Sequence, residues 1–249
     1  NDCPVVMVDV ADAATQVAAG RLVWENRGQG LFSAASSGLQ YALTAYWRSL
    51  GLLPEQPSLP PTAPTDCIAV VSGSCSPMSA AQIQWAASHG FHTARLDIAN
   101  CLTPDRWASE VEQRVSDAVS QLSQGVSPLV YSAQGPDDPA VTGFDATAQA
   151  AGYTREAAAR KVGETLAEIM RQILDRSIVR RIVVAGGDSS GAVASHLGIT
   201  ALTVASGLTP GAPLCKAWSN QASRDGLEIA LKGGQLGAVS FYGNVRDGC

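Results

Sequence analysis

The chain has 249 residues, 46% of them hydrophobic and 16% charged, which is enough to bury one large core or two modest ones. A formal net charge of -5 is the wrong sign for the concentrated basic surface of a phosphate-backbone binder, so nucleic acid is not an expected partner. Apolar runs such as Cys67-Ile68-Ala69-Val70-Val71 fall far short of the roughly 20 residues that cross a bilayer, so no membrane association is expected. The six cysteines form neither a C-x-x-C pair nor a zinc-type spacing, and reduced thiols in a cytoplasmic protein are the expectation.

The N-terminal part reads as a strand over 5–10, a helix over 12–26, a strand over 31–35 and a helix over 37–50. The strand-like run follows Asn1 almost at once, without an initiator Met, and reads as an entry into the middle of a longer polypeptide. A proline-rich stretch from Leu53 to Pro64 suits a surface connector, and a soft internal linker is placed over 51–66. Beyond it follow a strand over 67–71, a helix over 77–89, a strand over 91–97 and a helix over 104–123 whose Thr103-Pro104 start is a cap followed by Pro in the first turn. A strand over 128–132, a polar loop, a helix over 153–177, a strand over 180–185, a Gly-rich loop and a helix over 191–197 continue the alternation. Three short strands near 201–204, 214–218 and 227–231 close the chain. The pattern predicts a three-layer α/β/α fold with a mainly parallel sheet and an antiparallel edge.

Three loops fall where an open α/β sheet puts its ligands, just past the carboxyl ends of strands. Ser72-Gly73-Ser74-Cys75-Ser76 precedes a helix starting at Pro77. Its hydroxyls and the helix N–H groups suit an anion, although a capped turn with Ser76 as N-cap would look the same. Gly186-Gly187-Asp188-Ser189-Ser190-Gly191 brings one carboxylate and two hydroxyls to a helix start, and Asp188 would favour phosphate only with Mg²⁺ bridging the two. An N-capping Asp in a tight turn is the plainer alternative, and the letters fit neither a Walker A loop nor G-x-G-x-x-G. Lys232-Gly233-Gly234-Gln235-Leu236-Gly237 offers a cation and bare backbone to a nucleotide, or simply a glycine turn with a solvated lysine. The acidic loop from Gln134 to Pro139 reads as solvated. Cys75, with His89 and His92 downstream, admits a thiol hydrolase as a different class of function.

Taken in order and spacing, these pieces resemble the four-carbon acid sugar kinase family over nearly the whole chain: Ser36-Ser37-Gly38-Leu39, Ser72 to Pro77 with Gln82-Ile83, Gly186 to Gly191, Leu208 to Gly211 and Leu231 to Gly234. The resemblance implies an ATP-dependent kinase acting on a hydroxyl of a four-carbon sugar acid, a tetronate or oxo-tetronate. It implies that the whole chain is the C-terminal nucleotide-binding domain, with a separate N-terminal domain for the acid outside it. By the same resemblance Ser74 and Ser76 contact ATP, Gly186, Gly187, Asp188 and Ser189 line its phosphates, Asp188 serves Mg²⁺, and Gly234 lies against the nucleotide. Ala35 and Lys-Gly-Gly-Gln-Leu-Gly depart from the family's commoner Gly and Lys-Ser-Gly-Asn-Phe-Gly. A nucleotide- or phosphate-binding module without kinase turnover is the competing reading, and a homo-oligomer is compatible with either.

Overall fold

The structure is a computed structural model that describes residues 4–54 and 59–248. It divides into two compact units, Asn1–Ser58 and Leu59–Cys249. Part of the expected linker, residues 55–58, lies outside the described residues. Among the described residues no helix is long and apolar enough to cross a membrane.

The first unit is a helical pair, α1 (Ala13–Asn26) and α2 (Gly38–Ser49). Asp12 starts α1 through a reciprocal cap: its carboxylate accepts the Thr15 N–H at 2.8 Å, and the Thr15 hydroxyl accepts the Asp12 N–H at 2.9 Å. Trp24 meets Trp47 edge to face with centroids 5.0 Å apart, and the Tyr46 hydroxyl donates to Glu25 at 2.9 Å. The strands expected over 5–10 and 31–35 are absent; these described residues are extended or irregular and largely exposed. A β-branched run has a preference for extended backbone but no hydrogen bonds of its own. Among the described residues of this unit no strand completes a ladder with it.

The second unit holds a seven-stranded sheet of β1 (Ala69–Ser72), β2 (Phe91–Arg95), β3 (Ser127–Tyr131), β4 (Arg181–Ala185), β5 (Ile199–Thr209), β6 (Ala212–Ser219) and β7 (Glu228–Lys232). Their order is β2-β3-β1-β4-β7-β6-β5. The first five in that order run parallel, while β6 pairs antiparallel with β7 and with β5. The antiparallel edge expected from the sequence is therefore β5 and β6, and β7 is a parallel inner strand. Alternate residues of each inner strand enter opposite cores. Ala69, Val71, Ile182 and Val184 pack with α5 (Pro104–Ser123), α8 (Arg155–Arg176) and α9 (Gly187–His196) on one face. Val70, Val183 and Ala185 pack with α3 (Pro77–Ala87) and α10 (Phe241–Asp247) on the other. These are the three layers.

Shorter elements were not expected. α4 (Ile98–Cys101) follows β2, and the segment read as a polar loop contains α6 (Pro139–Thr142) and leads into α7 (Phe144–Ala150). Helix α9 starts four residues before the expected 191. Gly186, at φ 112°, turns the chain sharply at the end of β4, so Gly187 to Ser190 form a first helical turn. Two glycines there look like a loop, but first-turn N–H groups have no intrahelical acceptor anyway, and the usual propensity penalty is small.

Candidate functional site

The three Gly/Ser segments, far apart in sequence, meet at the carboxyl ends of β1, β4 and β7. Gly73 donates its N–H to the Ala185 carbonyl at 2.9 Å, and Gly186 donates to the Lys232 carbonyl at 2.9 Å. The approach is too close for side chains. A Cβ on Gly73 would stand 2.0 Å from Ser189 Oγ, one on Gly186 would stand 3.3 Å from the Gly73 and Ser74 backbone, and one on Gly234 would stand 2.4 Å from Ser74 Oγ. Ser74, Ser76, Gly186, Gly187, Asp188, Ser189 and Gly234 are thereby brought into one cluster. It lies at the topological switch of the sheet, because the chain leaves β1 toward β2 and β3 on one side and reaches β4 on the other.

The serines of the first segment form a network with the third. Ser76 Oγ accepts the Ser79 N–H at 3.0 Å, capping α3, and donates to the Gly234 carbonyl at 2.6 Å. Ser79 Oγ lies 2.8 Å from Ser74 Oγ and 3.1 Å from the same carbonyl. The Gln82 amide donates to the Leu236 and Ala238 carbonyls at 3.0 and 2.9 Å, holding the 233–238 turn on α3. Lys232 is only 1% exposed, so the expectation of a solvated lysine gives way to a buried one. Burial holds its ammonium well below the usual lysine range, at about 8. Neither Ser79 nor the burial of Lys232 was legible beforehand, because a serine two residues inside a helix and a lysine beside glycines carry no burial signal.

On the opposite side of the cluster, Ser189 is buried under Gly73, whereas Gly187 and Asp188 are exposed in the first turn of α9. They open onto a cleft between α8 and α9 with Arg155, Arg160, Gly163 and His196 on its walls. His196 is held by Glu168 at 2.7 Å, and Glu168, bonded chiefly by Arg171, has its carboxyl pulled down to about 2. Among the described residues no group of three or more His, Cys, Asp or Glu could hold a metal ion. Asp188 beside hydroxyls and helix N–H groups, with Glu156 and Glu164 also on the cleft, fits a Mg²⁺ shared with ligand phosphates, and does not fit a cage made by protein alone.

Other candidates separate. Cys75 is exposed, and its thiol is pushed up, first by burial of the sulfur and then by Asp138, opposite to what a nucleophile needs. His89 binds the Trp85 carbonyl at 2.7 Å and His92 binds Asp117 at 2.7 Å, so neither is set to activate Cys75. Within the acidic loop, Asp138 is not solvated. It is buried, caps α6 through the Ala140 N–H at 2.9 Å, and takes both Arg95 nitrogens at 2.7 and 2.8 Å.

An open, mainly parallel sheet with glycine and serine segments gathered at its switch point belongs to the α/β domains that take ligands at the carboxyl ends of their strands. The family described as "Nucleotide-binding C-terminal domain" matches residues 69–242, and the chain belongs to it as a C-terminal domain of the four-carbon acid sugar kinase family. It is 61% identical over 247 residues to the 3-oxo-isoapionate kinase of Paraburkholderia graminis, covering 99% of this chain and 53% of that protein. It is 35% identical over 175 residues to the 3-oxo-tetronate kinase of Burkholderia multivorans, covering 70% of this chain and 36% of that protein. The chain thus spans about half the length, or less, of the curated relatives it matches. A crystal structure of a Haemophilus influenzae protein superimposes with a TM-score of 0.67 at 22% identity, over 96% of this chain and 52% of that one. A domain of unknown function from Bordetella bronchiseptica, described with bound citrate and as a domain-swapped dimer, gives 0.54 at 21% identity, over 96% of this chain and 51% of that one. At these identities the likeness is one of fold.

Proposed function

We propose that the second unit binds ATP as the nucleotide half of a kinase that moves the γ-phosphoryl group to a hydroxyl of a sugar acid. The observation that carries this reading is the meeting of three Gly/Ser segments at the β1/β4 switch, with backbone packed where side chains would collide. Gly186, Gly187 and Ser189 line the phosphates with the free N–H groups of the first turn of α9, Ser74 donates its hydroxyl, and Gly234 lies against the nucleotide. Ser76 acts mainly by fixing Gly234, since its hydroxyl is engaged at both ends. Asp188 would hold Mg²⁺, which supplies neutralisation of phosphate charge.

The relatives support a choice of acceptor class. The 61% identity to a 3-oxo-isoapionate kinase, against 35% or less to the 3-oxo-tetronate kinases cited, favours a branched 3-oxo sugar acid over a linear tetronate. The acid itself is bound by an N-terminal domain of the parent protein, and closure of the two domains brings its hydroxyl in line with the γ-phosphate.

Calorimetric titration with Mg²⁺ and a non-hydrolysable ATP analogue tests the reading. Asp188→Ala is expected to weaken binding about tenfold in Mg²⁺ and far less without it, and Gly234→Val to abolish it by driving a side chain into Ser74. A folded chain, in its full-length parent, that takes up no nucleotide would sink the proposal. Turnover is then read with full-length protein and 3-oxo-isoapionate beside 3-oxo-tetronates.

A further inference from the structure

Lys232 is a fully buried cation. Its Nζ lies 3.4 Å from Ser79 Oγ and 3.4 Å from the Gly234 carbonyl, and 5.9 Å from the centroid of the Phe241 ring. Among the described residues no carboxylate reaches ion-pair distance of it. A charge in that position is expensive unless something compensates it.

Counting protons shows what it does to its neighbours. An ammonium only donates, so Ser79 Oγ accepts from Lys232 and has one proton to give. The Gly234 carbonyl already receives the Ser76 hydroxyl at 2.6 Å, and Ser74 Oγ is the nearer partner of Ser79 at 2.8 Å. Ser74 Oγ thus accepts from Ser79 and, at 3.3 Å, from the Ser76 N–H. Both its lone pairs are engaged and its own O–H is left to point elsewhere. Among the described residues no acceptor takes it.

Resting on the nucleotide reading above, we propose that Lys232 is a positioning residue: its ammonium sets the direction of the Ser79 to Ser74 hydroxyl chain so that Ser74 offers a donor to an anionic ligand. A neutral amine would reverse the chain. Its lone pair would accept from Ser79, Ser79 would accept from Ser74, and Ser74 would turn a lone pair toward the anion. With the lysine titrating at about 8, anion affinity is highest below that pH and falls above it. The groups facing Nζ from the packed elements are Ser79 of α3, the Phe241 ring of α10 and the Gly234 carbonyl. Of the other titratable groups on those elements, Tyr242 is buried with its phenol pushed up by burial. Arg181 pairs with Glu228 and Arg246 with Asp247, at or beyond the opposite, amino-terminal end of β4 and β7. Asp188 on α9 is exposed on the far side of β4.

The test is titration with ADP over the range from about pH 7.5 to about pH 9.5, well above the last phosphate ionisation at about 6, so that the ligand's charge stays nearly constant. Wild-type affinity should fall about tenfold across it, with proton uptake on binding at the alkaline end. Lys232→Met and Ser79→Ala should both bind more weakly and lose the pH dependence; Ser79→Ala keeps the lysine and serves if Lys232→Met does not fold. A purely structural lysine would lower the melting temperature and leave the pH slope of any residual binding in place. ADP binding that is flat with pH in wild type, or unchanged in slope in Ser79→Ala, overturns the proposal and leaves the nucleotide reading standing. No ADP binding by wild type at any pH overturns both.

Discussion

Gly73→Ala should lose about 2 kcal/mol of stability and weaken nucleotide binding by at least about tenfold, although it adds a single methyl group. The methyl would lie 2.0 Å from Ser189 Oγ, 3.3 Å from Ser189 Cβ and 3.3 Å from a Leu166 methyl, so at least one of three packed elements must move. The backbone cannot move away freely, because Gly73 N–H is bonded to Ala185 at the last residue of β4. Displacing Ser189 displaces the first turn of α9, and with it the N–H groups of Gly187 and Asp188 at the proposed phosphate site. Removing the oxygen relieves the worst contact, so Gly73→Ala/Ser189→Ala should recover most of the stability in urea unfolding. Binding should not recover with it if the Ser189 hydroxyl serves the ligand. Wild-type stability in the single variant would show that the close approach of β1 and α9 is wrong, and full recovery of affinity in the double variant would remove Ser189 from the site.

Much of this arrangement was readable from the sequence. Four of the five parallel strands stood out as short apolar runs between helical periods, whereas β7 was grouped with the closing antiparallel strands, and Pro77 and Pro104 marked helix starts correctly. Each Gly/Ser loop was visible at a strand end. Their convergence was not, because strand order decides which loops become neighbours and no local pattern encodes it; the family resemblance supplied that link. The misreadings share a cause. The runs at 5–10 and 31–35 have the right composition for strands, but strand formation depends on a partner that the local sequence does not contain. The start of α9 was placed late because glycine was taken as loop, when only Gly186 carries the turn. Lys232 was read as a cation for a nucleotide or as a solvated lysine in a glycine turn, and Asp138 was expected solvated, since charged residues normally are. In both cases tertiary contacts, a helix over the lysine and a guanidinium over the carboxylate, reversed the prior.

Arg95→Met should cost about 2 kcal/mol at neutral pH, between the values for exposed and fully buried ion pairs, because Arg95 is 43% exposed while the Asp138 side chain is 1% exposed. The asymmetry sets the sign. Losing a half-solvated guanidinium costs little in itself, but it strands a buried carboxylate that keeps only the Gln134 and Ala140 N–H groups, at 2.6 and 2.9 Å. Asp138 is held at about 2, first by the hydrogen bonds from Arg95. A depressed acid stabilises the fold fully above its unfolded value of about 4 and loses that contribution as the pH drops toward the folded value. Without Arg95 the folded value climbs and the contribution shrinks. The stability gap between wild type and Arg95→Met, measured by urea unfolding, should therefore be widest near pH 7 and close by about half or more near pH 3. A gap of equal size at both pH values would mean that the guanidinium acts by stacking on Tyr131, 5.4 Å from its ring, and not through Asp138. If the gap closes as expected, the same ion pair explains why the 134–142 segment is ordered as a capped turn: β2 supplies the cation, and the loop after β3 folds around the carboxylate it holds.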